Sequence, residues 1–325
     1  MSRRGRAPRR LDETEAVRLF ARAFGTPAPG IELGIGDDAA VLALGRERLV
    51  WTVDGQVEKT HFERAWVTLA DVGFRSFQAA VSDLAAMGAR PLAALSALSL
   101  PRGFSGKDLE RLARGQAEAA RACRCPIVGG NVARGPLLSV TTSVLGTARR
   151  PLTRGGARPG DEVWLVGDVG LAAAGLALFQ SGRMRARDRA SLRAYTAFRR
   201  PRALLARGMA LVGVAHAAID VSDGLALDAG RIAGASACRI VLEQRALERA
   251  LPAPLVALAE RLGRSALDLA LTGGEDYALV VTGAARQRPR FARRIGRCEK
   301  GRGAVWESAD GSSRPLAGGF DHFAS

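Results

Sequence analysis

EVWLVGDVGLAAAGLALF (162–179) decides the fold class. Residues 162–166 read as a buried strand, apolar and rich in Val and Trp after the opening glutamate. Gly167 and Gly170 bracket a turn, and 171–179 is an apolar helix. Strand, glycine turn and helix form the repeating unit of an α/β chain. The same alternation extends on both sides. Downstream lie the strand HAAID (216–220), CRIVLE (238–243), helices across 253–270, the strand DYALVVT (276–282) and a last strand near 304–307. Helical segments at about 186–198 and 201–213 fill the gap. Upstream, 11–24 carries a helical apolar face, and 48–53 is a strand ending at Asp54. A long helix over 68–88 is opened by Thr68 with Asp71 at capping-box spacing. Strands follow at 91–100, 126–128 and 137–146, with a helix from Ser105 to about Arg121. The turn-rich stretch ARRPLTRGGARPGD (148–161) divides two α/β units, 11–148 and 149–325, behind a basic arm of residues 1–10 expected to be disordered.

At 325 residues and 47% hydrophobic content the chain is long enough for two domains with a substantial core. No uncharged apolar run reaches about 18 residues, which argues against a membrane span. MSRRGRAPRR is basic without a following apolar segment, so it is not a secretory signal, and the expected location is the cytoplasm. The net charge is +16, carried by arginine except at Lys59, Lys107 and Lys300. Scattered arginines and 5% aromatic content argue against a nucleic-acid surface. Cys123-Arg-Cys125 has C-x-C spacing, and neither Cys238 nor Cys298 completes a zinc site with it. With three histidines, a metal here would be held by oxygen, as Mg²⁺ or Mn²⁺ is.

Against that basic background, six aspartates stand in glycine-rich or apolar surroundings. They are Asp37 and Asp38 in GIGDDAAVL (34–42), Asp54 in VWTVDG (50–55), Asp83 in AAVSDLAAMGA (79–89), and Asp220 and Asp223 in AAIDVSDGLALD (217–228). A buried carboxylate needs a compensating cation, and several converging on one place suggest a divalent metal. GIGDDAAVL has neither the Walker-A lysine nor a G-x-G-x-x-G fingerprint, and alone it reads equally as a turn with solvated acids. Gly129-Gly130-Asn131 and GGEDY (273–277) are glycine pairs through which backbone N–H groups could approach phosphate.

In this order, GIGDDAAVL, VDGQVEKTHF, SDLAAMGARP, GGNVARGP, TRGGARPGDEVWLVG, IDVSDGLALD, LTGGEDYALVVT and GFDHF resemble the thiamine-monophosphate kinase family, from about residue 31 to 323. The resemblance implies an α/β (α+β), two-domain fold like that of aminoimidazole ribonucleotide synthetase. Its N-terminal domain would form a dimeric β-barrel and its C-terminal α/β domain would pack alongside. It implies a homodimer that uses ATP and several Mg²⁺ ions to convert thiamine phosphate to thiamine diphosphate. Carried over by position, Asp38, Thr52, Asp54, Asp83, Asp220 and Asp223 would hold Mg²⁺, with Asp83 bridging. Gly130, Asn131, Arg154 and Ser222 would contact ATP. His61, Glu275 and Phe320 would contact thiamine phosphate. Phe320 reads equally as a face for one substrate ring or as a packing anchor. Two departures stand out: Asn131 where the family has Asp, and Lys59-Thr60 where it has smaller or apolar residues. The wider superfamily leaves other ATP-dependent activities as alternatives. Against selenophosphate synthetase, no cysteine lies near the N-terminus; against the hydrogenase maturation type, the chain ends in DHFAS.

Overall fold

In the computed structural model, residues 13–24, 29–182, 188–316 and 318–319 are described. Two sheets result, joined through one helix. The first has six strands: β1 (Ile31–Leu33), β2 (Ala40–Leu44), β3 (Glu47–Val57), β4 (Arg90–Leu100), β5 (Ile127–Arg134) and β6 (Ser139–Ala148), in the order β1-β2-β3-β6-β4-β5. The second has seven: β7 (Glu162–Val166), β8 (Ala217–Asp220), β9 (Arg239–Glu243), β10 (Leu279–Gly283), β11 (Ala292–Glu299), β12 (Gly303–Glu307) and β13 (Ser313–Pro315), in the order β13-β12-β9-β11-β7-β10-β8. Pairing is antiparallel except for β4 with β5 and β9 with β12. The helices are α1 (Glu13–Phe24), α2 (Leu69–Ala86), α3 (Gly106–Cys123), α4 (Leu171–Gln180), α5 (Arg189–Arg199), α6 (Leu205–Leu211), α7 (Leu225–Ser236), α8 (Gln244–Ala250), α9 (Ala253–Leu262) and α10 (Ala266–Thr272). The fold class is therefore mixed α/β on two sheets. The first sheet is open, with β1 and β5 at its edges, and the described residues close no barrel.

Helix α2 organises the molecule. The Thr68 hydroxyl accepts the Asp71 amide and the Asp71 carboxylate accepts the Thr68 amide, so the expected capping box is present. Gly88, at φ +62°, ends it in a conformation that L side chains rarely adopt. Almost every residue of α2 is buried, because it is gripped on two sides by backbone. A Cβ on Gly115 of α3 would lie 1.9 Å from the Ala70 carbonyl oxygen, and one on Gly208 of α6 would lie 1.9 Å from that of Ala85. Only glycine allows helices to approach this closely. Large apolar side chains of α2, namely Phe74, Phe77, Val81 and Leu84, fill the space under the first sheet with Val50 and Val144. The C-terminal end of α2 also meets the second sheet: Ala85 and Ala86 pack with Trp164, Ala218 and Leu279.

Three expectations need correction. Strand β3 does not stop at Asp54 but runs to Val57, because Gly55 and Gln56 continue to pair with Thr141 and Val140 of β6. Gly129-Gly130-Asn131 is not a turn after a short strand; it lies inside β5, where Gly130 pairs with Ser96. Gly130 has φ +154°, and a Cβ there would meet the Ser96 carbonyl oxygen at 1.7 Å, so the glycine serves strand packing. The helix expected over 201–213 shortens to α6. The arm 1–10 and Phe320 lie outside the described residues.

Candidate active site

The alternation of β3 sets up the site. Val50, Thr52 and Gln56 are buried on the side of α2, while Trp51 and Val53 face the other way. Asp54 falls between Thr52 and Gln56 in the same phase of the strand. Thr52 and Gln56 are matched by polar groups of α2: the Thr52 hydroxyl donates to Asp83 (2.5 Å), and Arg75 donates to Gln56 (3.0 Å). Asp220 ends β8, and Ser222-Asp223-Gly224 turns into α7, with Gly224 at φ +118°.

A cavity of about 1440 Å³ opens where these elements meet. At one end the carboxylates of Asp38, Asp83 and Asp220 bring oxygen atoms within 4.8 Å of one another. Asp54 and Asp223 line the same cavity. Burial pushes the Asp38 and Asp54 carboxyls up to about 7 and that of Asp220 up to about 6. Burial also raises Asp83 well above its ordinary value, reinforced by Asp220, Asp38 and Asp54. The protein supplies only part of the missing positive charge. Arg154 donates to Asp38 through Nε (3.1 Å) and Nη2 (2.5 Å), and its amide donates to Asp37 (3.0 Å). Arg231 pairs with Asp223 (2.6 Å) and with the fully buried Asp228 (2.7 Å). Asp38 Oδ2 is buried with no hydrogen-bond partner. An unpartnered oxygen in a convergent, oxygen-only set of acids fits a hard divalent cation.

The other end of the cavity is different. His61, Phe62, Trp66, Leu176, Phe198 and Glu275 line it. His61 accepts the Val57 amide at Nδ1 (3.0 Å), which places the ring proton of the neutral form on Nε2. Trp66 stacks on Phe179 of α4, with centroids 6.3 Å apart and planes 15° apart. Asp276, next to Glu275, accepts the amides of Gly170 and Ala172 and so caps α4, which supplies no cap of its own.

Residues 36–148 match the model of AIR synthase related protein, N-terminal domain. The thiamine-monophosphate kinase of Pyrococcus abyssi is 32% identical over 84% of this chain and 82% of its own length. The chain belongs to the thiamine-monophosphate kinase family. The enzyme of that name from Mycobacterium tuberculosis is 36% identical over 83% of this chain and 80% of its own. The solved structure of AaThiL complexed with AMPPCP and TMP superposes with a TM-score of 0.87 at 29% identity, covering 96% of this chain and 97% of that one.

Within this thiamine-monophosphate kinase family member, most residues singled out from sequence meet in one place. Asp38, Thr52, Asp54, Asp83, Arg154, Asp220, Ser222 and Asp223 line the cavity together with His61 and Glu275. Gly130 and Asn131 do not. They sit on the exposed edge strand β5, three strands from β3 and so about 14 Å away at ordinary strand spacing. Sequence reasoning passed over Arg75, Asp228, Arg231, Trp66 and Asp276. Arg75 carried a signal, being the one charge between Asp71 and Asp83 in an otherwise uncharged stretch of helix.

Proposed function

We propose that this chain transfers the γ-phosphoryl group of ATP to thiamine monophosphate, giving thiamine diphosphate and ADP. The observation that carries the reading is one cavity with an acid cluster at one end and an aromatic, glutamate-bearing recess at the other. Asp38, Thr52, Asp54, Asp83, Asp220 and Asp223 would hold Mg²⁺, whose charge would offset that of two phosphates brought into line. Arg154 and Ser222 line the cavity where the nucleotide would lie. The acceptor is a phosphate monoester with a second pKa of about 6, so at neutral pH it is already a nucleophile and needs no base. Positioning is then the protein's main task. At the recess, His61 can donate through Nε2, and Glu275 offers a carboxylate to the cationic thiazolium or the aminopyrimidine. Phe320 would add an aromatic face there.

The reading is tested by coupled measurement of ADP release. Thiamine monophosphate should stimulate ATP consumption, and unphosphorylated thiamine should not, because its neutral alcohol lacks the ionised phosphate oxygen that serves as nucleophile and brings no charge for the metal cluster to hold. Equal turnover with the two would overturn the assignment.

The enzyme acts as a homodimer in this proposal. One face of the first sheet is covered by α2 and α3, while the opposite face exposes Trp51, Val53 and Leu95, and the edge strand β5 exposes Val128 and Val132. Contiguous exposed apolar surface of this kind marks an interface. A second copy is the occupant that fits, since two such half-barrels laid face to face would close a barrel without free edges. Trp51 and Val53 also line the cavity, so the partner would border it. Gly130 and Asn131 would then reach nucleotide only across the interface. Leu95→Arg with Val128→Arg should raise the dimer dissociation constant at least about 100-fold, as expected for charges placed in an apolar interface core. Light scattering at micromolar concentration checks this; an unchanged dimer would move the interface elsewhere. The four cysteines are free thiols, which suits a reducing compartment, and we place the enzyme in the cytoplasm.

A further inference from the structure

Arg75 is a charge with almost no contact with water: its side chain is 1% exposed, and it does not line the cavity. Two of its nitrogens make hydrogen bonds, and the third, Nη2, is held by an ion pair without hydrogen-bond geometry. Nε donates to Gln56 Oε1 (3.0 Å), Nη1 donates to the Phe198 carbonyl (3.0 Å), and Nη2 pairs with Glu275 Oε1 (2.5 Å). The guanidinium also lies over the Phe198 ring, 4.7 Å from its centroid. Burying a guanidinium is costly unless all its partners are fixed, and here they come from β3, the end of α5 and the GGEDY loop.

The loop is fixed from its other side as well. The Glu275 amide donates to the Ser222 carbonyl (2.7 Å) and the Tyr277 amide to that of Val221 (3.0 Å). A Cβ on Gly274 would come within 2.3 Å of the Ser222 oxygen. Glu275 and Tyr277 both hold positive φ, 63° and 50°, a strained conformation for side-chain-bearing residues. The backbone of Glu275 is therefore stapled to the turn that carries Ser222 and Asp223. Its carboxylate, in contrast, hangs from a flexible side chain close to Asp54, which its charge influences. A divalent ion in the acid cluster would draw such a carboxylate towards itself.

We propose that Arg75 is a positioning residue for the acceptor: by its ion pair it holds the Glu275 carboxylate off the metal cluster and in the recess that takes the thiamine moiety. The spacing comes from a matched pair of elements. Asp83 and Arg75 are eight residues apart on α2, about 12 Å at helical rise. Their β3 partners Thr52 and Gln56 are four residues apart, about 13 Å at strand rise. Helix and strand thus form two rungs, one at the phosphoryl-transfer end and one at the ring end. The inference rests on the reading of Glu275 as a contact of thiamine monophosphate.

The test compares Arg75→Lys, Arg75→Met, Glu275→Gln and the double variant Arg75→Lys/Glu275→Gln in full-length protein, with ATP, Mg²⁺ and thiamine monophosphate varied separately. Arg75→Lys keeps the charge but loses the three-way fork. It should raise the KM for thiamine monophosphate roughly tenfold or more with the KM for ATP unchanged within about twofold. Arg75→Met should in addition lower the Mg²⁺ concentration that half-maximally raises the melting temperature without substrates, because the released carboxylate joins the cluster; damage to the fold alone would not tighten Mg²⁺. In the Glu275→Gln background, Arg75→Lys should add less than about twofold to that KM. If Arg75→Met does not fold, the lysine and glutamine variants carry the comparison. Equal rises in both KM values, or KM effects that multiply in the double variant, would overturn the proposal. Wild-type protein without ADP release dependent on thiamine monophosphate would instead overturn the acceptor assignment.

Discussion

Asp83→Asn should lower the rate of ADP release dependent on thiamine monophosphate by at least about 10³-fold, a loss typical of removing electrostatic stabilisation in phosphoryl transfer. Asp83 shares the cluster with Asp38 and Asp220, and Asp38, Asp54 and Asp220 all push its pKa upwards. The amide keeps the shape and can still accept the Thr52 hydroxyl, so geometry is preserved while one charge disappears. Without Mg²⁺, the same substitution should raise the melting temperature at pH 8, because the folded aspartate must hold either a buried charge or a proton that the unfolded chain has given up, and the amide bears neither cost. Calorimetry in EDTA measures this beside the kinetics. Activity within tenfold of wild type, or a lowered melting temperature in EDTA, would mean that Asp83 is not where metal charge is balanced.

The second large effect concerns pH. Unfolded, these aspartates titrate near 3.8; folded, Asp38 and Asp54 titrate near 7 and Asp220 near 6, mainly through burial. The folded state holds these protons more tightly than the unfolded chain. Their contribution to stability is thus fully present below about pH 4 and is lost as pH rises through 6 to 7. In EDTA the melting temperature should fall by at least about 5 °C between pH 5.5 and 8. Saturating Mg²⁺ should remove most of this slope, since the ion binds the deprotonated cluster and its affinity grows as protons leave. Asp276, also near 7 but outside the cluster, leaves a residual slope comparable to that of one cluster aspartate. A melting temperature that rises with pH in EDTA would contradict the burial of these acids.

What could be read from sequence followed from how strongly local pattern determined structure. Asp83, Asp220 and Asp223 were legible because an acid among alanines and valines has no bland role, and Thr68 with Asp71 marked the start of α2. The glycine pair at 129–130 misled, since the same residues serve a turn or a crowded strand, and only the register of β4 against β5 decides. Strand β11 went unnoticed behind three arginines. It is a central strand whose Arg294 and Arg297 lie in an ion-pair network with Glu243 at the end of the neighbouring β9, Glu307 of β12 and Glu299 of β11 itself. Charge there reads as solvent exposure until the cross-strand partners are known. Arg75 likewise belongs to contacts between segments 123 and 200 residues apart along the chain, which no local pattern encodes.

The glycine contacts around α2 bear on the later part of the catalytic cycle. A helix pressed backbone to backbone against α3 and α6 can neither slide nor rotate without breaking both contacts. The departing ADP and thiamine diphosphate would therefore be released by movement outside α2, while Asp83 stays in place. Each turnover would then start from the same position of Asp83, however far the surrounding segments have moved to let product out.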